Sequence, residues 1–132
     1  MLIGGYADAA LNRAATVGHG YVGGNIPFDR VATLTTRLRG LSSAAGKDPD
    51  SLAIVTRKVV KFTRGADGKA NIENTAEQEA ADIERYRAAG LTELFIDLNM
   101  DPAVSSVDSD PDQAVADTLA LMERLAPGKP GS

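Results

Sequence analysis

The chain of 132 residues contains no cysteine, no tryptophan and a single histidine. Without cysteine it can form neither a disulfide framework nor a thiolate metal site, and one histidine argues against a zinc centre. Its amino end has no positively charged segment followed by an apolar one, and no apolar run approaches the roughly 18 residues that span a bilayer. We therefore expect a cytoplasmic protein with no metal site and no membrane contact.

The charge pattern also excludes a class of partner. The formal net charge is -4, and both signs are mixed along the sequence, so no basic stripe is available for a polyanion. Nucleic acid is therefore not an expected partner. With 43% hydrophobic and 24% charged residues, the composition is that of a globular domain rather than of a disordered tail.

Predicted strands alternate with predicted helices along the chain. The predicted strands cover residues 2–4, 21–23, 52–62 and 94–98, and each is followed by a helical pattern. The polar segment 63–74 is predicted to be a long loop or a small hairpin. This alternation predicts an α/β fold with a parallel sheet and right-handed crossovers. We expect one domain over residues 1–126 and a frayed tail over residues 127–132.

The last predicted helix has the clearest start signal. Asp110 is a suitable N-cap and Pro111 suits the first helical position. Val115, Leu119 and Met122 recur at helical spacing, which predicts that they form the buried stripe of this helix.

Two glycines, Gly4 and Gly5, stand between the first predicted strand and the first predicted helix. The first turn of a helix leaves its N–H groups without intrahelical acceptors and carries the positive end of the helix dipole, so such a turn can hold a phosphate. A glycine pair after a strand also makes an ordinary strand-to-helix turn, and both interpretations remain open on these residues alone.

Three motifs together resemble the C-terminal half of the luciferase-like monooxygenase family. They are LIGGYADAALNRAATVGHGY at residues 2–21, AGKDPDSL at 45–52 and YRAAGLTEL at 86–94. The resemblance covers about residues 2–125 and implies a (β/α)₈ barrel, of which this chain would supply the last four strand-helix units. It also implies an oxidoreductase or monooxygenase that uses reduced FMN or a deazaflavin coenzyme and acts on a small-molecule substrate.

The resemblance also implies where the cofactor would bind. The turn after the family's fifth strand contributes to binding the cofactor phosphate, and residues near the carboxyl end of the next strand are expected to line the isoalloxazine pocket. The implied cofactor-binding residues are Gly4, Gly5, Tyr6 and Ala7 for the phosphate, and Tyr21, Gly23 and Gly24 for the ring. Packing in the core is an equally good interpretation of Tyr21, Gly23 and Gly24. No catalytic residue is identified.

Half a barrel would leave one face of its sheet uncovered. The residues that normally fill a barrel interior would then form an exposed apolar patch, and such patches mark interaction surfaces. We therefore expect a homodimer with a barrel-like core, or pairing with a separate N-terminal half-barrel chain. The alternative is a small doubly wound parallel sheet with helices on both faces.

Two further side chains invite a catalytic interpretation. The imidazole of His19 can exchange protons near neutral pH, but its position at the start of a strand, where the family has aspartate, favours a structural role. Asp97 lies between apolar residues of the fourth predicted strand, where an ion pair with a cation of the third strand is the expected arrangement and a catalytic role the alternative.

The sequence leaves three functions open. The first is a flavin- or deazaflavin-dependent oxidoreductase that is active when the barrel is complete. The second is a non-catalytic, truncated half-barrel that folds and dimerises without turnover. The third is a small module that binds a phosphate-bearing ligand.

Overall fold

The computed structural model describes residues 1–60, 62–64, 66, 70–72, 76–99 and 105–126. The predicted tail, residues 127–132, lies outside these ranges. Within them, no helix combines the length and apolarity needed to cross a bilayer. The same ranges hold no group of three or more His, Asp or Glu side chains arranged to bind a metal ion.

The order of elements follows the predicted alternation. The strands are β1 (Leu2–Gly4), β2 (Gly20–Val22), β3 (Ala53–Val59), β4 (Phe62–Arg64), β5 (Ala70–Ile72) and β6 (Glu93–Asp97). The helices are α1 (Asp8–Thr16), α2 (Phe28–Ala44), α3 (Ala76–Ala88) and α4 (Pro111–Leu125), and a short 3₁₀ turn at Pro49–Ser51 precedes β3.

Four of these strands form one parallel sheet in the order β1-β2-β3-β6. Its register places Ile3 opposite Tyr21, and Tyr21 opposite Ile54. The strands follow one another across the sheet in chain order, as in a (β/α)₈ barrel, whereas a doubly wound sheet reverses its order at a switch point. The fold is therefore α/β with the strand arrangement of half a (β/α)₈ barrel, as predicted, and the doubly wound alternative is wrong.

The described residues divide into two compact units, 1–58 with 84–95, and 59–83 with the residues from 96 onward. The core of the first unit lies between its strands and α1 and α2. Its fully buried members include Ala14, Tyr21, Val31, Leu38 and Ile54. Burial of a Val, Leu or Ile side chain contributes about 1.5–3 kcal/mol, so this cluster is the main source of stability in the unit.

On β1, β2 and β6 of the first unit the opposite face carries exposed apolar side chains, whereas Val55 on that face of β3 is buried. Side chains alternate between the two faces of a strand. Ile3, Tyr21 and Leu94 pack into the core, and their neighbours Leu2, Val22 and Phe95 are exposed large hydrophobic side chains. The uncovered interior face that a half-barrel requires is therefore present in this unit.

The second unit has its own small core, formed by Val60, Leu98 and Leu121. It also contains the antiparallel pair β4–β5, in which Thr63 lies opposite Asn71. Of the two predictions for segment 63–74, the small hairpin is confirmed by this pairing.

Helix α4 begins as predicted but buries a different face. The Asp110 carboxylate accepts hydrogen bonds from the N–H groups of Asp112 and Gln113, at 3.0 and 3.2 Å, so the N-cap is confirmed. The predicted buried stripe is wrong. The exposed fractions of its members Val115, Leu119 and Met122 are 59%, 55% and 63%.

The buried face of α4 instead carries Asp117 and Leu121. Gln113 donates a hydrogen bond from Nε2 to the Asp117 carboxylate over 2.8 Å, which offsets part of the cost of burying this charge. Helical periodicity identifies an apolar stripe, but packing decides which face is turned inward.

Candidate functional site

The first part of the candidate site is the turn from β1 into α1. Gly4 ends β1 and Gly5 has a φ of 122°, a conformation that a side chain would strain. A Cβ at Gly5 would also lie 3.0 Å from the Ala10 Cβ, which is tighter than ordinary contact. This turn therefore requires glycine at position 5. Tyr6 and Ala7 complete the turn.

The helix start that follows has no side-chain cap. Ala7 is the N-cap of α1, and its methyl group supplies no hydrogen-bond acceptor. The N–H groups of Ala10 and Leu11 donate to the Ala7 carbonyl over 2.9 and 3.1 Å. The amides of Asp8 and Ala9 precede them in the first turn, where a helix provides no acceptors, so this end of α1 can donate hydrogen bonds to an anion.

The second part of the site is the turn after β2, which is fixed to β3. The Gly23 N–H donates to the Val55 carbonyl over 2.8 Å, and the Thr56 hydroxyl donates to the Gly24 carbonyl over 2.6 Å. Gly23 is buried, and a Cβ there would overlap the Ile26 side chain. The chain can pass through this space only because residue 23 has no side chain.

The structure brings the two turns together at the carboxyl ends of β1 and β2. In the parallel register Gly4 lies opposite Val22, so both turns leave the same edge of the sheet. A Cβ built on Gly24 would lie 2.7 Å from the Tyr6 hydroxyl, so the Tyr6 side chain covers the second turn. Tyr6 itself remains 69% exposed.

Tyr21 lies beneath these turns rather than at their surface. Its exposed fraction is 0%, and its ring belongs to the core of the first unit. Its hydroxyl has no hydrogen-bond partner among the described residues. Burial raises the pKa of the Tyr21 hydroxyl, and the nearby Tyr6 raises that pKa further. Of the two interpretations of Tyr21, core packing describes its ring in this structure.

Charged side chains flank the helix start. The Asp8 carboxylate lies in the first turn of α1 and forms a 3.0 Å ion pair with Arg37 of α2. The Asp8 side chain is largely exposed and that of Arg37 about half exposed, so solvent screens the pair. Arg37 nevertheless offsets the negative charge that Asp8 places near the open amides.

Of the other two candidate residues, His19 lies at the opposite end of β2 from these turns, and Asp97 belongs to the second unit. His19 precedes β2, at the amino end of the strand whose carboxyl end leads into Gly23. The Met1 ammonium group donates to the His19 Nδ1 over 2.9 Å, and the backbone N–H of His19 donates to the Met1 carbonyl over 2.9 Å. Asp97 is buried, and one of its carboxylate oxygens accepts from the Asn99 N–H over 2.9 Å. Its expected ion pair stays a prediction.

Sequence reasoning missed two contributors to the site. Thr56 fixes the second turn through its hydrogen bond to the Gly24 carbonyl. Threonine is common in strands, so the sequence alone does not indicate that its hydroxyl bonds a residue 32 positions away. Arg37 offsets Asp8, and its separation of 29 positions along the chain hides that pairing.

Comparison with known structures places the fold. The chain is similar to an F420-dependent secondary alcohol dehydrogenase in complex with an F420-acetone adduct, with a TM-score of 0.64 and 10% identity over 94% of this chain and 48% of that one. The chain thus spans about half the length of that enzyme. DmoA from Hyphomicrobium sulfonivorans is 19% identical over 67% of this chain and 17% of its own, but a TM-score of 0.41 carries no argument.

At these identities the likeness shows the fold alone. No protein-family model matches the sequence, and no curated protein matches it.

Proposed function

We propose that this chain is the C-terminal half of a luciferase-like oxidoreductase that binds reduced FMN or a deazaflavin at the carboxyl ends of its strands. The observation that carries the proposal is the open first turn of α1, set between the glycine turns of β1 and β2 at one edge of the sheet. The similar F420-dependent enzyme uses a deazaflavin, so that cofactor is tested beside reduced FMN.

The residues of the edge fit an anionic cofactor tail. Gly4 and Gly5 allow a phosphate to approach the backbone. The N–H groups of Asp8 and Ala9, which follow Tyr6 and Ala7, can donate hydrogen bonds to its oxygens. Gly23 packs the next turn against Ile26, and Gly24 would give space for the next part of the cofactor once the Tyr6 side chain moves away from it. When bound, the ring would supply the hydride or oxygen transfer, and the role of this chain is to bind and orient it.

A complete site requires more than this chain. The first unit exposes Leu2, Val22 and Phe95 on the face that lines the interior of a closed barrel. We propose that a second copy, or a separate N-terminal half-barrel chain, covers this face, and that the small-molecule substrate binds in the completed barrel. The lack of cysteine is in keeping with a cytoplasmic setting. Light scattering gives the mass in solution, and a monomer at micromolar concentration would contradict the homodimer.

Titration with F420 and with reduced FMN, followed by cofactor absorbance, tests the proposal. The informative variant is Ala7→Asp, because Ala7 has φ -70° and ψ 146°, which any residue adopts. An aspartate there would cap α1 and also place a negative charge where the phosphate binds. We expect saturable binding of one cofactor by the wild type, binding at least tenfold weaker by Ala7→Asp, and a higher melting temperature for that variant.

Gly40→Asp is the matched control, since it adds the same charge at an exposed helical position with no atom within 4 Å of the new Cβ. It should bind the cofactor like the wild type. Absence of saturable binding of both cofactors by a well-folded wild-type dimer would remove the oxidoreductase and favour the non-catalytic half-barrel. Binding of inorganic phosphate without either cofactor would favour the small phosphate-ligand module, because the open helix turn lies within one unit.

A further inference from the structure

The Tyr21 hydroxyl is a buried polar group of the first unit whose hydrogen-bonding capacity is not used. The Tyr21 side chain is 0% exposed, and its hydroxyl has no hydrogen-bond partner among the described residues. Buried tyrosine hydroxyls usually form a hydrogen bond, because a buried hydroxyl without one loses the hydrogen bonds that it made with water. A phenylalanine would fill the same space without this cost. The hydroxyl is therefore a feature that core packing does not explain.

The surroundings of Tyr21 show where this hydroxyl points. The ring leans toward the carboxyl end of β2, because its Cε1 lies 3.0 Å from the position of a Cβ on Gly23. Tyr6 also raises the pKa of the Tyr21 hydroxyl, after burial. Tyr6 in turn covers Gly24 and directly precedes Ala7, the N-cap of α1. The hydroxyl end of the ring thus lies toward the carboxyl end of β2, the edge of the sheet at which β1 leads into α1.

We propose that the Tyr21 hydroxyl is the buried side-chain donor of the anion site at the start of α1, and that the exposed Tyr6 side chain covers it until a phosphate-bearing ligand binds. The inference deepens the proposed function, since it assigns a specificity role within the same site. Movement of Tyr6 away from Gly24 would open the space between the two glycine turns. The ligand oxygen would then accept from Tyr21 and from the first-turn amides together.

An oxyanion fits this site better than a neutral ligand. A tyrosine hydroxyl and helix amides all donate, and the first turn of α1 carries partial positive charge. The apolar surroundings of Tyr21 strengthen a hydrogen bond to a charged acceptor, because the local dielectric constant is lower than that of water. The site therefore selects a phosphate monoester or diester over an uncharged hydroxyl group.

Calorimetric titration with inorganic phosphate, on the wild type and on Tyr21→Phe, tests the inference. We expect phosphate to bind the wild type and to bind Tyr21→Phe about tenfold or more weakly, as for the loss of one hydrogen bond to a charged group. Tyr21→Phe should melt at the same temperature as the wild type or higher, which separates lost binding from lost folding. Because the chain has no tryptophan, tyrosine emission should change with phosphate in the wild type and much less in Tyr21→Phe.

Tyr86→Phe is the matched control, because it removes the same hydroxyl group from a ring that packs edge-on against Phe28 of α2. Its phosphate affinity should equal that of the wild type. Equal affinities for the wild type and Tyr21→Phe, or no phosphate binding by the wild type, would overturn the inference. Phosphate binding that depends on Tyr21, without binding of F420 or FMN, would leave the inference standing and remove the flavin function. Cofactor binding that is equally tight in the wild type and in Tyr21→Phe would overturn the inference and leave the flavin function standing.

Discussion

Thr56 donates a hydrogen bond from its hydroxyl to the Gly24 carbonyl over 2.6 Å. Thr56 is almost fully buried on β3, and this bond joins the strand to the turn that follows β2. Together with the hydrogen bond from the Gly23 N–H to the Val55 carbonyl, it fixes the position of the second glycine turn relative to β3. The rigidity of the candidate site on this side therefore comes from β3 and not from the turn itself.

Replacing Thr56 with valine should destabilise the protein and loosen the second turn. The substitution keeps the shape of the side chain but leaves the Gly24 carbonyl without its donor, which costs about 1–2 kcal/mol of unfolding free energy. Thr56→Ser keeps the hydroxyl and should recover most of that loss. Urea denaturation of the three proteins measures the effect, and a valine variant as stable as the wild type would show that this bond does not hold the turn.

A methyl group at Gly20 should be far more damaging than one at Gly40. A Cβ at Gly20 would overlap the carbonyl oxygen of Ala53 and lie 2.8 Å from the Leu2 Cδ2, and the neighbouring strand cannot move away. We expect Gly20→Ala to lower the unfolding free energy by about 3 kcal/mol. Gly40→Ala meets no atom within 4 Å and should raise it by about 0.5–1 kcal/mol. Equal effects in thermal denaturation would mean that β1, β2 and β3 do not pair in the register described.

The pH dependence of stability should report on Tyr21. Burial first, and Tyr6 second, raise its pKa in the folded protein above the ordinary value of about 10. The unfolded chain therefore loses this proton first as pH rises, and the folded protein loses stability from about pH 10 upward through the raised pKa. Below about pH 10 the contribution is constant.

Denaturation at several pH values should show the wild type losing stability relative to Tyr21→Phe only above that point. Parallel stability profiles of the two proteins up to the alkaline limit would mean that the Tyr21 hydroxyl is not buried in solution.

The sequence predicted the fold well, because local signals and strand order agree. Asp110 and Pro111 identified the start of α4, and alternation of strands and helices predicted the parallel sheet. The inward face of α4 was not predictable, since Asp117 and Leu121 are buried only through packing that the helical pattern does not contain. Periodicity identifies an apolar stripe, whereas its partner decides whether the stripe is buried.

The sequence predicted which residues form the candidate site but not which contacts their side chains make. Gly5 was identified by its place between strand and helix, and the positive φ there gives the physical reason. The position of Tyr21 was identified too, yet the sequence left its packing open and gave no sign of an unpartnered hydroxyl under Tyr6. Such a feature arises from the relative position of two strand ends, which no local pattern encodes.

The most direct test of the central claim is amide NMR on the wild type, titrated separately with FMN and with riboflavin. The two ligands share one ring system and differ by the phosphate. The account predicts that FMN binds about tenfold or more tightly and that its largest amide shifts fall at residues 5–9, in the β1–α1 turn and the first turn of α1. Equal binding of the two ligands, or unchanged amides at residues 5–9 when FMN is bound, would contradict it.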